Sequence, residues 1–450
     1  MYKKTVIHLA MAAAVMGAGA AFAAVTAEQA EALKTTLTPL GGEKAGNADG
    51  SIPAWDPAPV IQVSSDKIGD IPTGVFTDEE PLLQITAANM AEHAERLSEG
   101  TQALLKKFPS FRVDVYPTHR TGLAPQYAYD NTLRNATECR TKDAGLSLEG
   151  CYGGVPFPIP QSGVEVIWNH LLRFETEATE LNNYKNLILN ADGALTIAVE
   201  NDQSNQYPYH YKDGSAESWS GEYFLQRFST IAPPFKAGES LVLRDSIDVN
   251  QSRQAWQYLV GQRRVRRAPT VAYDTPDFVA SGANYFDEVL MLMGHVDRFD
   301  WKLVGKREMY VPYNNNELVT ASMEEAFGNH HMNPDKFRWE LHRVWEVEAT
   351  VASGKRHAVP KRTFYVDEDS WMALLVDGYD SEGTLWRTSQ AVPFFLPQVP
   401  MLAMKPTTTF NLQANTMSGL HSLNGGTFRL VPRYPETHFT GDAVAAEGVR

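Results

Sequence analysis

The sequence predicts a mainly β protein, in which a long antiparallel meander with one apolar face curls into a barrel or half-barrel. Two observations support this prediction. Apolar and polar residues alternate over 299–311 and again over 337–349, as in antiparallel strands with one wet and one buried face. Shorter runs with a period of two occur at 194–200, 240–249 and 253–260. Few segments have helical periodicity, so few helices remain to cover the apolar face.

Large apolar side chains occupy the buried face of the two longest predicted strands. They are Phe299, Trp301, Leu303, Met309 and Val311 on the first strand and Phe337, Trp339, Leu341, Trp345 and Val347 on the second. Arg343 and Val344 interrupt the second pattern. The acidic runs 367–370 and 380–383 predict hairpin turns between further strands.

Helical signals are short and scattered. They are found at 26–37, 85–108, 164–172 and 284–293, where apolar residues recur three or four positions apart. Thr26 and Gln29 have the spacing of a capping box at the first of these helices. The proline-rich run 153–160 predicts a rigid extended linker, because proline removes backbone donors.

The first 23 residues predict a removable secretory signal peptide. Lys3 and Lys4 form a basic start, an apolar run follows over 6–22, and Ala21-Phe22-Ala23 has the small-x-small pattern of a cleavage site. A membrane anchor is the alternative, but the run is short and consists mostly of Ala and Gly. We therefore expect cleavage after Ala23 and a mature protein in the periplasm.

Composition bounds the partners and the domain organisation. The chain of 450 residues has a formal charge of −14, which does not suggest a nucleic-acid partner. After residue 23 no stretch has the length and apolar purity of a transmembrane helix, so we expect a protein that is not integral to a membrane. Residues 24–160 are expected to form a helical and loop region, and 161–450 an antiparallel β half-barrel, as one unit.

Cys139 and Cys151 are the two cysteines of the chain. In an exported protein an even pair predicts a disulfide. Closing a loop of this length is worth about 3 kcal/mol in the chain-entropy model. Two cysteines with no histidine between them do not suggest a metal site.

The sequence has no local catalytic signature. GxSxG, HExxH, CxxC and Walker-type motifs are absent, so we predict no catalytic residue and no cofactor. His330-His331, with Glu324 and Glu325 upstream, is a metal-ligand candidate, but a solvated loop is the favoured interpretation. Asp367-Glu368-Asp369 suggests acid/base chemistry or calcium binding, and a hairpin turn is favoured.

A dense basic run consists of Arg263, Arg264, Arg266 and Arg267. One interpretation is a strand edge that is kept basic to prevent pairing with other chains. The functional alternative is contact with anionic lipid headgroups or with an acidic partner. Trp256 and Tyr258 share one face of the preceding strand, and they belong either to the core or to a ligand site.

Several segments together resemble a known family. Trp256-Gln257-Tyr258-Leu259, followed by the basic run 263–267, is similar to the aromatic-x-Tyr-Leu-Pro and basic-Val-Arg-Arg pattern of outer-membrane lipoprotein-sorting-like proteins, with Val260 where proline is usual. Four further segments resemble the family called domain of unknown function 1329: Leu40-Gly41-Gly42, 49–55, 117–120 and 377–380. The resemblance covers nearly the whole mature chain.

The resemblance implies a fold like that of the LolA and LolB lipoprotein carriers. This fold is a curved antiparallel sheet that forms a half-open barrel, with helices as a lid over an apolar cavity. The resemblance also implies an RND-type inner-membrane transporter as a partner, and an outer-membrane protein is a further expected partner. It brings no catalytic residues. The candidate ligand contacts in such a cavity are Trp256, Tyr258, Trp301, Trp339, Leu341 and Trp345.

Three functional hypotheses follow. The first is a periplasmic carrier or chaperone for a lipid, a lipoprotein acyl chain or another hydrophobic molecule. The second is a non-catalytic scaffold or accessory subunit of an RND-type envelope transport complex. The third is an envelope hydrolase, which needs a converging pair of catalytic groups. A roomy apolar cavity favours the carrier, and a filled barrel favours the scaffold.

Overall fold

The computed structural model describes residues 24–59, 61 and 71–448, so the predicted signal peptide lies outside the described residues. Short α-helices are scattered along this part of the chain. They are α1 (Ala27–Ala30), α2 (Glu99–Lys107), α3 (Gln126–Glu138), α4 (Gly163–Leu171), α5 (Asn316–Thr320), α6 (Met323–Ala326) and α7 (Gly441–Gly448).

Strands dominate the described chain. They are β1 (Leu83–Ile85), β2 (Val113–Val115), β3 (Arg140–Lys142), β4 (Ser147–Glu149), β5 (Ala178–Leu189), β6 (Leu195–Gln206), β7 (Glu222–Ala232), β8 (Ser240–Ser246), β9 (Gln254–Leu259), β10 (Arg264–Arg267), β11 (Phe299–Pro312), β12 (Arg338–Val351), β13 (Lys361–Asp367), β14 (Ala373–Tyr379), β15 (Leu385–Leu396), β16 (Met401–Asn411), β17 (Thr416–Ser422) and β18 (Thr427–Leu430).

Sixteen of these strands form one sheet, and β3 and β4 form a separate hairpin. The order in the large sheet is β1-β2-β12-β13-β14-β15-β16-β17-β5-β6-β7-β8-β9-β10, with β11 beside β12 and β18 beside β5. Neighbours are antiparallel, except that β2 runs parallel to β12. The two ends of this order do not pair with each other within the described chain. The predicted fold class, a large curved antiparallel sheet that is not closed, is therefore confirmed.

Both faces of the sheet are covered, as two neighbouring residues of β15 show. Side chains alternate between faces along a strand. Thr388 points to the face that carries α2, where it donates to Asp377 at 2.8 Å, and the N–H of Gly100 in α2 donates to the same carboxylate at 2.9 Å. Arg387 points to the opposite face and binds Glu288. Glu288 belongs to residues 271–296, which we call the covering segment.

Helix α4 packs on β11. A Cβ atom at Gly163 would lie 2.9 Å from backbone atoms of β11, so the helix makes its contact with the strand through bare backbone. The predicted helix at 164–172 is thus confirmed as α4. The N-terminal helix is present but shorter than the predicted 26–37: α1 continues as a 3-10 turn that ends at Lys34, and the capping box between Thr26 and Gln29 is present.

Two other helix predictions were wrong in extent. Two separate helices replace the predicted single helix over 85–108. The first is a 3-10 helix at Met90–Arg96, and the second is α2, with Ser98 as its N-cap. At 284–293 a 3-10 turn over Phe286–Glu288 is the helical structure that forms. Leu290 and Met291 have φ values of 55° and 68°, in the left-handed region that no α-helix continues through.

The predicted strands and turns are present. The alternating runs 299–311 and 337–349 are β11 and β12, which pair along their whole length, and the two acidic runs connect β13 to β14 and β14 to β15. Cys139 and Cys151 are bonded, with their Cα atoms 4.5 Å apart, and the bridge closes the β3–β4 hairpin. Within the described residues, the helices are too short or too polar to cross a membrane.

Candidate ligand-binding site

The covering segment lies over strands β5 to β8 and β17, and small cavities remain beneath it. A cavity of about 30 Å³ lies between Gln226 and His421 on the sheet and Val289 on the covering segment. A cavity of about 10 Å³ lies towards β9, under Phe278. A third, again of about 30 Å³, lies under Leu292. Each has room for about one water molecule, so in this conformation the space beneath the segment is nearly filled.

Apolar side chains of the covering segment fill this space. Those that wall the three cavities are Phe278, Val279, Phe286, Val289, Leu290, Leu292 and Met293. The backbone that carries them is irregular and bonds mainly to itself: the N–H of Asp287 donates to the carbonyl of Tyr273 at 3.0 Å, and the N–H of Met293 to that of Asp287 at 3.2 Å. Methionine adapts its shape readily, and Met293 lines two of the cavities.

Buried ion pairs hold the covering segment on the sheet. Asp287 binds His357 at 2.9 Å and Arg362 of β13 at 3.1 Å. Burial alone would raise the pKa of Asp287, but the charge of Arg362 and the His357 hydrogen bond hold it well below its usual range. Glu288 binds Arg387 of β15 through both oxygens, at 2.5 and 2.7 Å. The segment is thus fixed at one point by directional polar contacts.

Polar side chains also face the cavities. The Tyr184 hydroxyl donates to Gln203 at 2.9 Å, and the backbone N–H of His421 donates to Asn186 at 3.0 Å. Asp277 accepts from the N–H of Val279, and burial raises its pKa to about 6. A mostly apolar space with a few convergent polar groups is the usual composition of a small-molecule site.

One buried cation near the cavities lacks a partner. Lys405 of β16 is 5% exposed, and its Nζ forms no hydrogen bond within the described chain. Arg173 and Glu175, which line the third cavity, and His421, which lines the first, are its electrostatic neighbours. Burial lowers the pKa of Lys405 to about 8 and holds that of His421 well below its usual value.

Four of the predicted ligand contacts lie on the paired strands β11 and β12, away from these cavities. Trp339 and Leu341 are 0% and 3% exposed and belong to the main core. The Trp301 ring centroid lies 5.5 Å from that of Phe364, and Trp345 stacks on Trp371 at 6.3 Å. The structure places all four within side-chain packing, and their contact with a ligand stays a prediction.

The other two predicted contacts lie on β9. Trp256, Tyr258 and the apolar residues of α7 form a small second core that includes Phe439 and Val444. Tyr258 also lines the cavity of about 10 Å³. Of the six predicted contacts, it is the one that reaches a described cavity.

The basic run forms the last strand of the sheet. In β10, Arg264, Arg266 and Arg267 are exposed, and Arg263 is exposed in the turn before it. The guanidinium of Arg267 lies 5.6 Å from the Trp256 ring centroid. One edge of β10 pairs with β9, and its other edge has no strand beside it in the described chain. Basic side chains on such an unpaired edge oppose its pairing with strands of other molecules.

A buried acidic cluster sits in the β13–β14 hairpin. The predicted hairpin turn is present, and its side chains Asp367, Glu368 and Asp369 are at most 2% exposed. Arg120 binds Asp369 through two hydrogen bonds of 2.7 Å, and Tyr313 donates to Asp367 at 2.9 Å. The cluster therefore joins the N-terminal region to the sheet.

This cluster includes a geometric candidate for a metal site. Ligand atoms of His342, Asp367 and Asp369 lie within 4.8 Å of one another. Because Arg120 already occupies both oxygens of Asp369, the arrangement is explained as a network of ion pairs. The other histidine candidate is engaged as well: His331 Nε2 lies 2.8 Å from the Ser110 hydroxyl, and the His330 ring stacks on Phe108.

Sequence reasoning missed the groups that face the cavities. Arg173, Glu175, Asp277 and His421 lie in irregular or bulged positions that periodicity does not place. Lys405 had a signal, because it is the one charged residue in the apolar run 401–406. A lone lysine at the centre of a buried strand is a candidate functional residue.

Together these features define a mainly β protein with an open curved sheet, one face of which is closed by a separate covering segment. The chain belongs to the family described as protein of unknown function (DUF1329), whose model matches residues 84–445. It is 38% identical, over 463 residues and 99% of each chain, to an uncharacterized protein of Pseudomonas aeruginosa.

Solved structures with similar folds share little sequence with this chain. A domain from Vibrio parahaemolyticus, described as an outer membrane lipoprotein-sorting protein, is 13% identical, with a TM-score of 0.44, over 63% of this chain and 98% of its own. A DUF1329 family protein from Desulfovibrio piger is 13% identical, with a TM-score of 0.40, over 60% and 92%. A LolA superfamily protein from Nitrosomonas europaea is 10% identical, with a TM-score of 0.37, over 63% and 100%.

Proposed function

We propose that this protein is a periplasmic carrier or chaperone that binds a hydrophobic molecule, such as a lipid or a lipoprotein acyl chain, between its curved sheet and the covering segment. One observation carries the proposal. A sheet face lined by cavities is closed by an irregular apolar segment, which ion pairs of Asp287 and Glu288 fasten to the sheet. Because the segment contains no strand of the sheet, it can be displaced without breaking the strand pairing.

The hydrophobic effect supplies the affinity in water. Burying one methylene group is worth about 0.8 kcal/mol, so an alkyl chain of about 16 carbons gains roughly 12 kcal/mol before the entropy of binding is subtracted. Leaving a bilayer gains almost nothing, because the chain is already dry there. A carrier of this kind protects a lipid in transit and releases it to a membrane or to a drier partner.

The small volume of the cavities imposes one condition on this function. Spaces of about 10 to 30 Å³ cannot hold an alkyl chain, so the apolar side chains of the covering segment must move out as the ligand moves in. In the closed form these side chains occupy the place of the ligand and keep the sheet face dry.

Native mass spectrometry of protein released gently from the periplasm, followed by lipid extraction, tests the proposal. We expect a bound lipid in the wild-type protein. Val289→Asp, which places a carboxylate in the first cavity, should reduce this load. Val304→Asp, at an exposed position of β11, is the matched control. Circular dichroism of each variant confirms that it is folded.

The second candidate function is a non-catalytic scaffold or accessory subunit of an RND-type envelope transport complex. The nearly filled interior favours it, and the exposed arginines of β10 offer a surface for an acidic partner. If wild-type protein carries no lipid and takes none up from vesicles, the carrier proposal fails and the scaffold takes its place.

A further inference from the structure

Lys405 is a buried cation in an otherwise apolar stretch of sheet. The preceding residues Met401–Met404 are buried, and Pro406 follows. Its ammonium carries three donors, and none of them has an acceptor within the described chain. Leaving such a group dry and unpaired opposes folding. The fold nevertheless keeps a lysine at a position where methionine or leucine would pack.

The charges around Lys405 leave one positive charge in excess. Arg173 donates to Glu175 at 2.8 Å, and both residues are buried, so this pair is neutral as a unit. Glu175 forms no ion pair with Lys405 within 4.0 Å. Asp245 of β8 and Glu288 of the covering segment are bound to arginines of their own. The excess charge is therefore that of Lys405.

The position of Lys405 joins this charge to the proposed ligand space. Arg173 and Glu175 line the third cavity, His421 lines the first, and Met293 of the covering segment touches both. His421 is itself buried, and its Nδ1 has no hydrogen-bond partner in the described chain. Lys405 on β16 and His421 on the adjacent β17 thus each carry a buried nitrogen without a hydrogen-bond partner in the described chain.

We propose that the space beneath the covering segment binds a long-chain fatty acid, an amphiphile with a single carboxylate head. The carboxylate lies at Lys405 and His421. The alkyl chain takes the place of the covering segment's apolar side chains. One carboxylate supplies the one negative charge that the site lacks, and its oxygens accept from the ammonium. This inference rests on the proposed function and adds the chemical class of the ligand.

The test compares tetradecanoic acid with its methyl ester, which has the same chain and no charge. Both displace the neutral fluorescent probe N-phenyl-1-naphthylamine from delipidated protein at pH 7. A charged hydrogen bond in a buried site is worth enough to give the acid an advantage of about tenfold or more. We expect Lys405→Met to abolish this advantage while binding of the ester stays unchanged. Lys106→Met, at an exposed lysine of α2, should keep it.

The outcomes separate this inference from the proposed function. If wild-type protein binds acid and ester equally well, the carboxylate site is refuted and the carrier function stands. If Lys405→Met retains the preference for the acid, another group binds the carboxylate and the assignment of Lys405 is refuted. If neither compound nor the probe binds, the proposed function fails. Whether the site prefers a carboxylate is decided by the wild-type protein alone, even if the variant does not fold.

Discussion

At the scale of single residues, Lys405 imposes a measurable cost on the ligand-free protein. Burial lowers its pKa from an ordinary value of 10.5 to about 8. Between these two pH values the unfolded chain still holds the proton that the folded protein has released, so stability rises with pH. Below pH 8 both states are protonated and the full penalty remains, about 3 kcal/mol.

We therefore predict that Lys405→Met stabilises the delipidated protein at pH 7 by about 1 to 3 kcal/mol. Methionine has a similar length and brings no charge into the core. The stability of the wild-type protein should rise between pH 8 and 10 because Lys405 loses its proton. In the variant this contribution should be absent. Urea unfolding at pH 7 and at pH 10 measures both effects, with Lys106→Met as the control. A variant that is less stable at pH 7 would show that the ammonium is satisfied in the ligand-free protein.

Burial of single residues could be predicted from the sequence, but their role in a site could not. Alternation placed Trp339 and Leu341 on the buried side of β12, and both are buried. Alternation does not tell which element packs on that side. Trp256 and Tyr258 were placed on one face correctly, yet that face is covered by α7, near the end of the chain. The site depends on such distant contacts.

At the scale of elements, the covering segment shows why helical periodicity misled. Residues 284–293 have apolar residues at helical spacing, but Asp287 and Glu288 bind arginines on two different strands. These ion pairs, together with burial of nearly every apolar side chain from Phe286 to Met293, favour an irregular backbone over a helix. Tertiary contacts override a local preference that is worth a few tenths of a kcal/mol per residue.

We predict that Asp287→Asn loosens the covering segment. The substitution removes the charge that compensates Arg362 and leaves a buried cation unpaired, which costs about 3 to 5 kcal/mol. Hydrogen exchange followed by mass spectrometry should show faster exchange in 271–296 than in β5 to β8. Asp300→Asn, at an exposed position of β11, is the control. Uniformly faster exchange over the whole sheet would show that the segment does not open on its own.

The edge strand β10 gives a prediction about surfaces. If its arginines contact anionic headgroups, each contributes about 1 kcal/mol, so Arg264→Gln combined with Arg266→Gln should weaken binding to phosphatidylglycerol vesicles about 30-fold. Vesicle sedimentation measures this. Lys106→Gln combined with Arg140→Gln removes the same charge from exposed positions elsewhere and should have little effect. If both variants lose the same affinity, vesicle binding depends on net charge and not on a specific contact of β10.

At the scale of the whole molecule, the sequence predicted the architecture of the sheet but not how the chain closes around it. Alternation of apolar and polar residues placed β11 and β12, and acidic turns marked the hairpins of β13 to β15. The parallel pairing of β2 with β12 could not be predicted, because β2 has three residues and only two of them pair with β12. The Arg120–Asp369 ion pair spans 249 positions of sequence, and no local pattern announces a contact of that range.

Buried groups whose pKa values are shifted in opposite directions determine how the stability of the whole fold depends on pH. Burial lowers the pKa of His170 to about 3 and that of His210 to about 4. The unfolded chain therefore binds more protons than the folded protein below about pH 6.5, and stability falls as pH falls through that range. Burial raises the pKa of Asp277 and of Asp377 to about 6. Here the folded protein binds more protons between about pH 4 and 6, and stability rises as pH falls.

These two pairs oppose each other, and the low pKa of buried His421 is likewise opposed by the raised pKa of buried Glu165. We therefore predict a shallow dependence of stability on pH between 6.5 and 4 and a steep loss below. Below about pH 4 the aspartates are protonated in both states and compensate no further. His170 continues to weaken the fold there, and so do the carboxylates whose pKa is lowered, Asp287 and Glu340. Urea midpoints measured at half-unit intervals of pH test this. Asp377→Asn removes part of the compensation, and the loss should begin nearer pH 6. A wild-type protein that already loses most of its stability between pH 6.5 and 5 would contradict the prediction, because the histidines would then outweigh the aspartates.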